Sequence, residues 1–145
     1  MRYYRTTSHS KYDLKVHIVF TPKYRKHALH GKIRESLRDY IRQTCEELEL
    51  EIISGKICVD HVHLFISYPP TISISKILQR IKGKSSYKLY QKYPEVKKEF
   101  WGHHFWSRGY MSVSSGNITD EMIQSYIDEQ EGENIQTLNP RIDFE

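Results

Sequence analysis

Two periodicities divide the chain into predicted strands and helices. Alternation of apolar and polar residues, or a concentration of isoleucine and valine, predicts four strands, at residues 13–21, 50–59, 61–68 and 105–114. Apolar residues at three- and four-residue spacing predict three helices, at about residues 33–48, 74–89 and 119–130. Residues that disfavour regular pairing follow three of the strands, namely Pro22, Pro69-Pro70 and Ser115-Gly116-Asn117.

The predicted elements follow the order β-α-β-β-α-β, with one more helix at the end. This is the order of the ferredoxin-like split βαβ fold, an α+β class. It predicts a four-stranded antiparallel sheet with two helices on one face. The chain has 145 residues, which suits one domain. The residues after 132 are polar, and we expect them to form a loosely packed tail at 133–145.

Composition excludes some classes of protein. About 38% of the residues are hydrophobic, which is enough for one core and argues against a disordered chain. We see neither a signal-peptide pattern nor a stretch that could cross a membrane, and we therefore expect a cytoplasmic protein. Cys45 and Cys58 form no CxxC pair, and we expect both to be buried free thiols.

Charge is distributed unevenly along the chain. The formal net charge is only +4. However, lysine and arginine are concentrated between residues 76 and 98, whereas residues 120–133 contain acidic residues and no basic one. Such segregation predicts a positive face for a polyanion such as nucleic acid. The alternative, a solvated helix surface, stays open from charge alone.

The predicted third strand carries two histidines, His61 and His63. Side chains two residues apart on a strand point to the same face, and Val62 between them points to the other. Two imidazoles held side by side on a strand are suited to binding a metal ion. An isolated pair of this kind is also compatible with ordinary surface histidines.

The predicted last helix carries Tyr126 and Gln130, four residues apart and therefore on one helical face. An amide oxygen such as that of Gln130 is an acceptable ligand for magnesium or manganese. From the helix alone, the pattern favours Tyr126 as a core aromatic and Gln130 as a surface residue.

Five segments in a fixed order carry a resemblance to a known family. They are Leu14–Arg25, His61-Val62-His63, Ile81–Ser86, Phe105–Tyr110 and Tyr126–Gln130. On these motifs the chain resembles the TnpA-type single-tyrosine HUH transposases of minimal insertion sequences, the IS200-like family, in which HUH denotes His-hydrophobic-His. The resemblance covers about residues 10–132 and implies one transposase domain with its core there.

The resemblance implies a chemistry for these residues. Tyr126 would be the catalytic nucleophile that attacks a phosphodiester of single-stranded DNA, forming a 5′-phosphotyrosine bond and releasing a 3′-hydroxyl. His61, His63 and Gln130 would hold one Mg²⁺ or Mn²⁺. The enzyme would cleave and rejoin DNA at the ends of an insertion sequence.

The resemblance also implies partners, namely single-stranded DNA with subterminal hairpins and a second copy of the chain. In the homodimer the helix with Tyr126 could complete the partner's site in trans, with Ser115-Gly116-Asn117 as the connection. Basic residues are expected to contact DNA phosphates, at Lys23, Arg25, Arg80, Lys82, Lys84, Lys88 and Arg108. Tyr24, Trp106 and Tyr110 are candidates for base stacking, or alternatively for packing inside the protein.

Two other functions compete with this interpretation. A replication-initiator or relaxase-like HUH nickase would usually carry a third histidine or acidic ligand and further domains. A non-catalytic nucleic-acid-binding module with the same fold would present exposed aromatic residues on its central strands in place of a histidine pair.

Overall fold

A computed structural model describes residues 4–100, 104–114, 116, 118–130 and 142–144. Within these residues the strands are β1 (Arg5–Thr6), β2 (Lys11–Tyr12), β3 (Lys15–Phe20), β4 (Glu51–Cys58), β5 (His61–Ser67), β6 (Met111–Ser114) and β7 (Ile142–Asp143). The helices are α1 (Gly31–Glu47), α2 (Ile74–Lys92), α3 (Pro94–Glu99) and α4 (Asp120–Asp128). A short 3₁₀ turn, Lys23–Arg25, follows β3.

The main sheet has the strand order β6-β3-β5-β4-β7, and each neighbouring pair is antiparallel. Its first four strands have the order expected of the ferredoxin-like fold, so this prediction is confirmed. β1 and β2 form a separate two-stranded antiparallel ribbon. No helix among the described residues is long and apolar enough to cross a membrane.

The main core lies between the sheet and helices α1 and α2. β5 contributes Val62, Leu64 and Ile66, each fully buried, and α1 and α2 contribute Leu37 and Ile81 among others. The prediction of two helices on one face is therefore confirmed. Alternation along β5 directs its remaining side chains to the opposite face of the sheet, where α4 packs.

The strand predicted at 105–114 is wrong over its first half. Only β6 pairs along β3, and Trp106 makes an isolated bridge to Pro22. Phe105 and Trp106 are both buried, at 0% and 5% exposure, which strict alternation on a one-sided sheet does not allow. Trp106 Nε1 donates a hydrogen bond to Ser85 Oγ at 3.0 Å, and the chain turns at Gly109, whose φ is +81°. The two aromatic rings thus fill the core.

The loosely packed tail is also wrong where the structure describes it; the rest of 133–145 lies outside the described residues. β7 adds a fifth strand beside β4, and Phe144 is only 7% exposed. Phe144 N donates to Gly55 O at 3.1 Å. A side chain at Gly55 would lie 3.0 Å from the Phe144 ring and 2.9 Å from His63 O, so glycine is what lets the aromatic ring approach β4.

Phe144→Ala should therefore destabilise the fold, because it removes a buried aromatic ring from the core. We expect a loss of about 3 kcal/mol in the free energy of unfolding, measured by urea denaturation. Ile53→Ala, on the neighbouring strand β4 but 45% exposed, is the control and should change the free energy of unfolding by about 0.5 kcal/mol or less. Equal stability of wild type and Phe144→Ala would contradict the packing of the tail.

Candidate active site

The histidine pair lies on the middle strand of the sheet. β5 is hydrogen-bonded to β3 on one side and to β4 on the other, which fixes its backbone. His63 is the register partner of Val19, and Val19 packs against Ile123 and Ile127 of α4. The helix that carries Tyr126 therefore covers the same face of the sheet as His63, beside the pair.

His61 is 9% exposed, and its orientation is set by the residue before it. Its Nδ1 lies 2.9 Å from Asp60 Oδ1, so Nε2 is the ring nitrogen directed away from the carboxylate. Burial alone would lower the pKa of His61, but hydrogen bonds to Asp60 and Cys58 outweigh it and raise the pKa to about 9. Cys45 is buried as predicted, whereas Cys58 is partly exposed and interacts with His61.

His63 has a different neighbour, which the sequence did not single out. His17 Nδ1 lies 3.1 Å from His63 Nε2, and the His17 ring stacks on Phe65 with 4.0 Å between ring centroids. Burial first, and then the positive charges near it, including His17 and Lys56, lower the pKa of His63 to about 4. His63 is therefore a neutral imidazole at pH 7.

These two rings suit a divalent metal ion as part of its ligand set. Each has one nitrogen engaged by a neighbour, Asp60 or His17, so His61 Nε2 and His63 Nδ1 are the nitrogens that could bind a cation. No three His, Cys, Asp or Glu side chains among the described residues are grouped to hold a metal. An amide or phosphate oxygen is a further kind of ligand that suits such a cation.

The predicted second half of the site lies at the end of α4. The helix begins where Thr119 Oγ1 accepts a hydrogen bond from Met122 N at 3.1 Å. Tyr126 is half-buried, and burial raises the pKa of its hydroxyl, followed by the charge of Glu129. Gln130 Nε2 donates to Tyr126 O at 3.2 Å. The hydrogen bonds of the described residues do not join Tyr126 or Gln130 to the histidine pair.

Arg25, predicted as a phosphate contact, is buried inside the protein at 9% exposure. Its Nε lies 3.6 Å from Asp60 Oδ2, and one of its terminal nitrogens donates to Ile127 O at 3.1 Å. The backbone that turns the Arg25 side chain inward is strained, because Tyr24 and Arg25 have positive φ values of 60° and 48°. Left-handed conformations of this kind cost roughly 1–3 kcal/mol each in residues other than glycine.

Three of the predicted DNA contacts and one predicted metal ligand instead meet in one cleft of about 580 Å³. We call it the basic cleft; its lining includes Lys23, Tyr24, Lys82, Trp106, Arg108 and Gln130. Lys82 Nζ donates to Ser107 O and Gly109 O at 3.0 and 2.6 Å, and burial lowers the pKa of Lys82 to about 8. Tyr24 is 47% exposed at the edge of the cleft, whereas Trp106 is a packing residue.

Two of the basic residues predicted to contact DNA, Lys84 and Lys88 of α2, instead contact α1. Lys84 forms an ion pair with Glu47, and Lys88 Nζ donates to Gln43 Oε1 at 2.8 Å. The hydrogen bond from Lys84 and the charges of Lys84, Lys88 and Arg80 lower the pKa of Glu47. Contacts between the two helices therefore account for part of the charge run. Tyr110 packs against the core and under Lys82, which supports packing over stacking for this ring.

Comparison with known proteins defines the class. The family model described as "Transposase IS200 like" matches residues 10–130, and the chain belongs to this family. It is 36% identical over 126 residues to the transposase for insertion sequence element IS200 of Salmonella typhimurium, covering 87% of this chain and 82% of that protein. It is 32% identical over 119 residues to the ISDra2 transposase TnpA of Deinococcus radiodurans, covering 82% and 85%.

Solved structures agree with this assignment. A crystal structure of a candidate transposase from Deinococcus radiodurans R1 has a TM-score of 0.82 at 26% identity, covering 89% of this chain and 99% of that one. A REP-associated tyrosine transposase bound to a REP hairpin has a TM-score of 0.55 at 15% identity, covering 85% and 69%. The second likeness supports the fold.

The affinity of the histidine pair for Mn²⁺ should rise with pH. The pKa of His61 is about 9, so below this value a proton competes with the metal for the ring. We expect an increase approaching roughly tenfold per pH unit from about pH 7, measured by the electron paramagnetic resonance signal of free Mn²⁺.

Asp60→Asn provides the comparison for this titration. It removes the carboxylate that raises the pKa of His61, so the increase in affinity should be complete at a lower pH. Asp39→Asn, an exposed change on α1, should keep the wild-type profile. Identical profiles for the wild type and Asp60→Asn would contradict the assignment of the competing proton to His61.

Proposed function

We propose that this chain is a DNA transposase that cleaves and rejoins single-stranded DNA at insertion-sequence ends, with Tyr126 as the nucleophile. The observation that carries the proposal is the packing of α4 on the sheet face that holds the histidine pair, in a chain of the IS200-like family. Tyr126, His61 and His63 then belong to one region of the fold although more than 60 residues of sequence separate them.

The proposed reaction is a transesterification at phosphorus. The oxygen of Tyr126 forms a bond to the phosphorus of the scissile phosphate, and the bond from phosphorus to the 3′ oxygen breaks. Because its pKa is raised, Tyr126 carries its proton at neutral pH, and this proton must leave as the bond forms. A 3′-hydroxyl receives a proton in exchange, and a later attack by another 3′-hydroxyl on the phosphotyrosine bond rejoins DNA.

His61, His63 and Gln130 are the proposed ligands of Mg²⁺ or Mn²⁺. When bound, the metal would supply charge stabilisation at the scissile phosphate. The chain's own contribution is orientation, because Asp60 and His17 each hold one nitrogen of a ligand ring. The amide oxygen of Gln130 remains available for a metal while its nitrogen donates to Tyr126 O.

The basic cleft is the proposed path of the DNA strand near the site. Lys23, Lys82 and Arg108 provide positive charge there, and Gln130 joins the cleft to the end of α4. Binding of a hairpin is supported by the structural neighbour that holds a REP hairpin. A homodimer is also proposed, on the strength of the family resemblance, and in it the helix with Tyr126 could complete the partner's site in trans, as an alternative to its placement on its own sheet.

Covalent capture tests the nucleophile. With single-stranded hairpin DNA from the element's ends and Mg²⁺, the wild type should form a protein–DNA adduct that survives a denaturing gel. Tyr126→Phe should abolish the adduct, because it lacks the attacking oxygen, and a chelator should suppress it. Tyr87→Phe, at a 64% exposed tyrosine on α2, is the matched control and should keep it. An adduct that persists in Tyr126→Phe would refute the assignment.

DNA affinity should depend on the basic cleft more than on the α1 side of α2. We expect Arg108→Ala and Lys23→Ala to weaken binding and each to lower the salt slope by about 1, because each removes a phosphate contact. Lys88→Ala should change affinity less, since Lys88 is bonded to Gln43. Fluorescence anisotropy in chelator measures binding without cleavage. A larger loss for Lys88→Ala would contradict the cleft.

A further inference from the structure

Arg25 connects the two halves of the proposed site. One of its terminal nitrogens donates to Ile127 O at 3.1 Å and lies 3.7 Å from Asp128 Oδ1, both at the end of α4. Its Nε lies 3.6 Å from Asp60 Oδ2. The same side chain therefore contacts the end of the helix that carries Tyr126 and the carboxylate beside the histidine pair.

Asp60 extends this connection to a proposed metal ligand. Its Oδ1 lies 2.9 Å from His61 Nδ1, while its Oδ2 faces Arg25. The Asp60 side chain is 5% exposed, so water has little access to either oxygen. A rotation of the carboxylate that improved one contact would disturb the other. The position of Arg25 is thus tied to the orientation of the His61 ring.

The backbone is shaped to place Arg25 inside the protein. Consecutive left-handed residues at Tyr24 and Arg25 leave Tyr24 47% exposed at the basic cleft and turn the Arg25 side chain inward, to 10% exposure. Conformations of this kind persist where the surrounding structure holds them, and they occur preferentially at functional sites. A buried guanidinium between protein groups is a poor candidate for a first contact with DNA phosphate.

We propose that Arg25 is a positioning residue that aligns the Tyr126 helix with the His61 side of the metal site. This inference rests on the proposed function, and it gives Arg25 a role different from the phosphate contact predicted by resemblance. The planar guanidinium of Arg25 reaches the Ile127 carbonyl and the carboxylates of Asp60 and Asp128 in different directions. The single side-chain nitrogen of a lysine would not reproduce these contacts. Loss of Arg25 should then slow cleavage and leave DNA affinity intact.

Arg25→Lys and Arg25→Gln test the proposal through two kinds of measurement. At saturating hairpin DNA and Mg²⁺, we expect adduct formation to be roughly 10- to 100-fold slower than in the wild type, because the reacting groups are misaligned. The DNA dissociation constant in chelator should change by no more than about twofold, and its salt slope should be unchanged. Arg108→Ala is the matched control, with weaker binding expected.

Hydrogen exchange reports the same alignment without catalysis. In both Arg25 variants the amides of residues 118–130 should exchange faster, because the end of α4 has lost a partner, while α1 stays protected. Asp128→Asn keeps the guanidinium and removes one surface partner whose side chain is 60% exposed, so it should fold even if the Arg25 variants do not. We expect it to show a smaller effect in the same direction.

Two results would overturn the proposal. The first is weaker DNA binding with a lower salt slope and a wild-type rate at saturation, which would make Arg25 a phosphate contact. The second is unchanged exchange of residues 118–130 in the Arg25 variants, or in Asp128→Asn where those variants do not fold. If instead the wild type forms no Tyr126-dependent adduct, the proposed function fails, and hydrogen exchange still decides whether Arg25 holds α4.

Discussion

The position of β5 in the middle of the sheet is the constraint on which the site depends. Its backbone pairs with β3 and β4, and Val62, Leu64 and Ile66 are fully buried on one face. A slip of one residue would turn these side chains to the face where α4 packs and bury the histidines in the main core. Burial of three such side chains is worth roughly 5–9 kcal/mol, so the hydrophobic pattern also decides which way His61 and His63 point.

The elements of the fold could be predicted because their information is local, whereas several contacts of the site could not. Alternation along β5 and the spacing of Tyr126 and Gln130 are properties of single segments. The contact between His17 and His63 requires the register between β3 and β5, and the contacts of Arg25 span 35 to 103 residues of sequence. The alternation of side chains along single strands predicts neither of these contacts. The predictions of a strand at Phe105 and of a loosely packed tail were wrong for a similar reason. Distant elements decide whether an extended segment pairs with a sheet or fills a core.

The two histidines differ in proton affinity although they are two residues apart. Asp60 and Cys58 raise the pKa of His61 to about 9, whereas burial and neighbouring cations lower that of His63 to about 4. At neutral pH His61 is therefore protonated on both ring nitrogens, with Nδ1 facing Asp60, whereas His63 is neutral. A metal ion at the proposed site would displace only the Nε2 proton of His61, and the Asp60 carboxylate, which still faces Nδ1, would strengthen His61 as a ligand.

The turn after β3 relates the basic cleft to this site. Lys23 N donates to Phe105 O at 2.8 Å and Ser107 N donates to Thr21 O at 2.9 Å, so the turn is fastened to the segment that lines the cleft. Two residues after Lys23 the chain buries Arg25 against Asp60 and the end of α4. Lys23 and Arg25 are thus two residues apart on a backbone held from both ends. Neither end of the turn can move without breaking these hydrogen bonds and the contacts of Arg25. A DNA strand bound at Lys23 would therefore have a defined position relative to Tyr126.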